Sequence, residues 1–77
     1  MNNDRRKMLQ QAAELINQAE TLVEEVLAAE QAAFENLPES LQGADSGIKM
    51  QDAITTLQDD LPGHFEELRS SIDVACQ

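Results

Sequence analysis

The stretch Glu30-Gln31-Ala32-Ala33-Phe34-Glu35-Asn36-Leu37-Pro38-Glu39-Ser40-Leu41-Gln42-Gly43-Ala44-Asp45-Ser46-Gly47 decides the fold of this 77-residue chain. It holds one of the two prolines and two of the three glycines, with a long helical pattern on either side. Pro38 disfavours an α conformation at Leu37, so a first helix should end near Asn36. Pro38 to Leu41 suits a tight turn with proline at its second position, or one short helical turn. Gly43 and Gly47 offer conformational freedom, and Asp45 or Ser46 is placed to cap a second helix. Phe34, Leu37 and Leu41 are spaced to fold inward and close the end of a two-helix core. The hinge is thus expected at about residues 37–46 and has some structure of its own.

Upstream, a helix is expected over about residues 4–36. Asn2, Asn3 or Asp4 can cap its start. Leu9, Ala12, Ile16, Ala19, Val23 and Val26 recur at alternating three- and four-residue steps, and Met8, Leu15, Leu22 and Ala29 form a second row at seven-residue steps. Together they make a wide apolar stripe, as on a helix with more than one neighbour. A helix of roughly 30 residues is about 45 Å long and needs packing along its length. Arg5, Arg6 and Lys7 carry three of the five basic charges in its first turn. They read as an exposed terminus, or as a basic clip for an acidic neighbour or a phosphate.

Downstream, Ile48, Met50, Ile54, Leu57, Leu61, Phe65, Leu68, Ile72 and Ala75 mark a second helix over about residues 47–76. Two successive four-residue steps fall across Pro62-Gly63, so a kink or short break is expected near residue 62. A third helix that starts there and folds back is the alternative, with Asp59 and Asp60 suited to its N-terminus. Acids recur every seven residues at Asp45, Asp52, Asp59, Glu66 and Asp73. On an unbroken helix they form one slowly drifting negative stripe. It reads as a solvated face, or as a docking edge for a basic partner.

The sequence therefore predicts one all-α domain, a helical hairpin of two long antiparallel helices. Its aromatics are Phe34 and Phe65 alone, so the interior must be built from small aliphatic side chains. A domain this small usually needs a staple or a partner. The single Cys76 excludes an internal disulfide. Oligomerisation, as a dimer or higher assembly, is the expected source of further burial. The formal charge of −10 argues against direct nucleic-acid binding. No apolar run resembles a signal peptide or a membrane span, which fits a cytoplasmic, membrane-free protein.

Catalytic patterns are wanting, and no enzyme activity or cofactor is expected. His64 is the sole histidine and can meet Asp60 or Glu67 on a continuous helix. That set is too poor in nitrogen and sulfur for zinc. Cys76 has no base nearby in sequence. Gly43, Gly47 and Lys49 lack the spacing of a phosphate loop, and Asp45-Ser46-Gly47 lacks the ligand series of a calcium loop.

The segment Ala33-Phe34-Glu35-Asn36-Leu37-Pro38-Glu39-Ser40-Leu41-Gln42, followed by Gly47, Lys49-Met50 and Ala53-Ile54-Thr55-Thr56-Leu57, resembles a group of short helical proteins of bacteriophages and prophages. Those share an A-F-x-N-L-P-E-S-L-Q hinge and an M-x-x-A-I-x-x-L start to the second helix. The likeness covers about residues 24–61. It departs from the group's uninterrupted second helix at Pro62-Gly63. It implies a phage origin, a hairpin fold and action in the host cytoplasm, with no activity or site residues attached. The function expected first is a non-catalytic protein that self-associates and modulates a host protein. Two alternatives are a DNA-mimicking inhibitor of a host defence protein, and an oligomer that binds a small nucleotide between Arg5, Arg6, Lys7, Lys49 and Arg69.

Overall fold

The computed structural model describes residues 1–77 as an elongated hairpin, 58 × 16 × 12 Å. Helix α1 spans Asn3–Glu35, a short α2 spans Glu39–Gln42, α3 spans Asp45–Thr55 and α4 spans Leu61–Ala75. A π-turn, Thr56–Asp60, joins α3 to α4, so Asp45–Ala75 is one helix of 31 residues. There are no strands.

The ends of α1 follow from local chemistry. Asn2 is extended, and its side-chain oxygen accepts the Arg5 N–H at 2.9 Å, satisfying one orphan donor of the first turn. At the other end Asn36 closes the helix, two residues before the proline. The last carbonyls of α1 are then met from the hinge. Gln42 Nε2 donates to the carbonyls of Phe34 at 3.3 Å and Leu37 at 3.1 Å. Pro38 is the N-cap of α2, and its carbonyl accepts from Leu41 and Gln42. The short helical turn, not the tight turn, is thus the form adopted.

Two details of the hinge differ from expectation. The N-cap of α3 is Ala44, whose carbonyl accepts the Ile48 N–H at 2.9 Å; Asp45 lies inside the first turn, where its charge favours the helix dipole. Neither Gly43 nor Gly47 has a positive φ, so conformational freedom is not what they supply. Gly47 lies within α3 and is the one fully buried residue of the chain. A Cβ there would overlap the Gln42 carbonyl oxygen and stand 2.6 Å from the Leu41 oxygen. Glycine lets α3 start directly against the backbone of α2.

The helices meet along a single seam. On α1 the half-buried residues are Arg6, Leu9, Ala13, Ile16, Glu20, Val23, Leu27, Glu30, Phe34 and Leu37, at alternating three- and four-residue steps, with Ala12 and Gln31 beside them. Facing them are Met50, Ile54, Leu57, Leu61, Phe65, Arg69, Ile72 and Cys76. Ala19 and Val26, expected inside, are exposed, and so are Ile48, Leu68 and Ala75. Of the three hinge residues expected to close the core, Phe34 and Leu37 are half-buried and Leu41 is exposed.

The change of register in the second helix has a definite cause. At the π-turn the Leu61 N–H donates to the Thr56 carbonyl, five residues back instead of four. One extra residue is absorbed immediately before Pro62, where the missing proline N–H already removes a rung of the ladder. The helix neither breaks nor folds back at Pro62-Gly63. It continues with its inward row advanced by one residue. An uninterrupted α-helix would have turned His64, Leu68, Ser71 and Ala75 toward α1. The π-turn presents Phe65, Arg69, Ile72 and Cys76 instead.

A Gly47→Ala substitution should cost about 1–3 kcal/mol, because the new methyl group must displace backbone. Gly43, whose added Cβ would meet nothing within 4 Å, is the control. Gly43→Ala should be neutral or stabilising by up to about 1 kcal/mol. Urea denaturation of the pair checks both.

Candidate functional site

The hairpin has two unlike sides. On the first, α1 presents Gln10, Asn17, Glu24 and Gln31, each one residue past a seam position, and the second helix presents Gln51 and Gln58. Gln31 Nε2 donates to Gln58 Oε1 at 3.3 Å across the helices, which fixes these rows on the same side. Beyond the π-turn the corresponding positions are Glu66 and Asp73. This side is polar apart from Ala28 and Pro62.

The opposite side of α1 is apolar. One residue before the seam positions stand Met8, Ala12, Leu15, Ala19, Leu22, Val26, Ala29 and Ala33, an unbroken run of alternating four- and three-residue steps. Met8, Leu15 and Leu22 are 67%, 64% and 63% exposed. In antiparallel helices, equivalent flanks share a face, so the second helix adds Ala53, Asp60, Leu68 and Ala75 to this side. From Arg5 to Ala33 the row holds no acid, although 15 of the 77 residues are Asp or Glu. The expected stripe is therefore two heptad seams side by side. One is used within the hairpin and the other is open.

The acidic row is placed differently from expectation. Asp45, Asp52, Asp59, Glu66 and Asp73 are all exposed. Asp45 and Asp52 point directly away from α1. Past the π-turn, Glu66 and Asp73 lie on the polar flank beside the seam, and Glu67 takes the outward position. The extra residue at the π-turn divides the row into two parts on different faces of the helix.

The basic residues are partly committed. Arg6 Nε donates to the Cys76 carbonyl at 2.9 Å and its Nη2 to the Gln77 carbonyl at 3.5 Å. It thereby caps the carbonyl end of α4, where positive charge suits the helix dipole. Arg5 and Lys7 are exposed. Arg69 grips Glu20 with two nitrogens, Nη1 to Oε1 at 3.0 Å and Nη2 to Oε2 at 3.4 Å, and its Nη1 reaches Asn17 Oδ1 at 3.4 Å. Both partners are about one-third exposed. This cross-helix pair was not legible in the sequence. The signal was the fourth four-residue step, Phe65 to Arg69, which a reading that seeks apolar positions skips in favour of Leu68.

Chemistry-bearing residues do not converge. His64 Nδ1 lies 3.9 Å from Glu67 Oε2 on open surface. Cys76 is half-buried in the seam. No group of three or more His, Cys, Asp or Glu side chains comes together, and no helix is long and apolar enough to cross a membrane. The most enclosed depression, about 210 Å³, lies at the π-turn between Val23, Leu27, Leu57, Pro62 and Phe65, with Glu20, Glu24 and Gln58 at its rim. It contains no nucleophile. Comparison with protein-family models, characterised proteins and solved structures gave no match.

The Glu20–Arg69 pair should show a coupling of about 0.5–1 kcal/mol in a double-mutant cycle to alanine, the range for partly exposed pairs. The coupling should shrink at molar salt. Denaturation of the two single variants and the double variant measures it.

Proposed function

We propose that this chain is a non-catalytic helical interaction protein that self-associates through the apolar side of α1. One observation carries the reading: a complete second heptad row, with Met8, Leu15 and Leu22 mostly exposed, in a chain that buries no side chain fully. Exposed apolar surface of this length, bordered by polar residues, marks an interaction site. A heptad row marks one suited to another helix. The assembled protein carries most of its acids on the outer and polar faces, and there it binds and modulates a basic host-cell protein. The host and the phage origin rest on the hinge resemblance alone.

The two alternatives draw less support. A DNA mimic needs a regular line of negative charge, and the acidic row is divided at the π-turn. A nucleotide site needs its bases free to converge, whereas Arg6 and Arg69 are engaged within the hairpin.

Size-exclusion chromatography with light scattering tests the self-association. A mass of at least twice the 8.5 kDa chain is expected at micromolar concentration. The melting temperature should rise with protein concentration, as mass action requires of a folded oligomer. A stable, well-folded monomer with a concentration-independent melting temperature would remove the proposal.

A further inference from the structure

We infer that the occupant of the open heptad row is one second copy of this chain, docked with its α1 antiparallel to the first, to give a two-fold symmetric four-helix bundle. This rests on the self-association reading above and adds the number of copies, the face and the orientation.

The area matches one partner. The chain exposes 5715 Å². A globular monomer of its 8.5 kDa mass exposes about 4,700 Å² on the usual surface-to-mass scaling, so roughly 1,000 Å² is in excess. A stable interface removes about 800 Å² from each partner. One face of one partner therefore covers the surplus. A two-fold pairing uses the same face on both copies and closes, leaving the polar sides in water.

Charge fits the same occupant. The row from Arg5 to Ala33 is free of acid, so two copies of a chain with net charge −10 can meet there without placing carboxylate against carboxylate. A basic partner would find nothing on this row to pair with.

Side-chain volumes choose the orientation. In an antiparallel pairing, Met8 stands opposite the partner's Ala33, Ala12 opposite the partner's Ala29, Leu15 opposite the partner's Val26, and Ala19 opposite the partner's Leu22. Alanine meets alanine only where Ala12 faces the partner's Ala29, and Ala19 and Ala33 each face a larger side chain, so the layers fill more evenly than in like-on-like pairing. In a parallel pairing each residue faces its own copy, so Ala19–Ala19 layers alternate with Leu22–Leu22 layers and leave gaps. The flanks agree: parallel pairing sets Glu25 beside the partner's Glu30, and antiparallel pairing sets Gln18 beside the partner's Glu25.

The test uses the full chain with Cys76→Ser as background. Light scattering should show a dimer. Met8→Cys and Ala33→Cys variants, mixed, dissociated, reannealed and oxidised, should give a mixed disulfide. Met8→Cys alone should give none, because its two copies would stand about 37 Å apart along the bundle. The double variant Leu15→Glu with Leu22→Glu should dimerise about a hundredfold or more weakly, because it buries unpaired charge. Gln10→Glu on the polar side should dimerise as the parent does. A monomeric parent would overturn both this inference and the self-association reading. Four results in an oligomeric protein would overturn the inference alone: self-cross-linking of Met8→Cys, no mixed disulfide, a trimer or tetramer, or an intact dimer in the glutamate double variant.

Discussion

Two helices that pack as a pair touch along one line, and that constraint governs everything else in this molecule. Each helix turns a single narrow row toward the other. With nothing packed on the remaining sides, even Leu27, Leu57 and Phe65 in the middle of the seam stay partly open to water. A hydrophobic side chain stabilises in proportion to the area it loses to solvent, so half-burial yields only part of the ordinary gain. The seam must also offset the ordering of a long chain, at about 1–2 kcal/mol of backbone entropy per residue. The hairpin therefore relies on devices at its ends as well as on its seam. At the closed end Gln42 holds the final carbonyls of α1, and Gly47 seats α3 on α2. At the open end Arg6 holds the final carbonyls of α4. In the middle Arg69 clasps Glu20. These polar ties set the relative position of the two helices and give the seam its register.

The parts of this arrangement that were legible in the sequence are those decided by local chemistry. Asn2 and Pro38 act on their immediate neighbours, and the ends of α1 lie within a residue of where those two place them. What was not legible depended on choices between near-equivalent rows. On α1 two heptads run one residue apart, and the row that faces away is the more apolar of the two. The inner row contains Glu20 and Glu30, which look like surface residues until Arg69 is known to stand opposite Glu20. Composition along one helix cannot reveal which row its own hairpin will use, because the answer lies on the other helix. Gly47 was misread for a related reason. The residue announces freedom, whereas its use here is the absence of a side chain against a backbone brought close only by tertiary folding.

The π-turn links that local ambiguity to the shape of the open surface. Its trace in the sequence is the run of four-residue steps from Leu57 through Leu61 and Phe65 to Arg69, more than a regular heptad allows. An extra residue at Thr56–Asp60 converts those steps into a straight inward row. Without it, Leu68 and Ala75 would fill the seam, and Phe65 and Arg69 would lie on its polar flank. With it, Phe65 and Ile72 pack on α1 and Arg69 reaches Glu20. Leu68 and Ala75 are displaced to the side that also carries Met8, Leu15 and Leu22. One inserted residue thus does two things at once. It completes the internal seam, and it broadens the open apolar surface from a strip on α1 to a face shared by both helices. A face built from two helices is wide enough for two more, the geometry that the proposed bundle requires and a lone peptide lying in a groove does not.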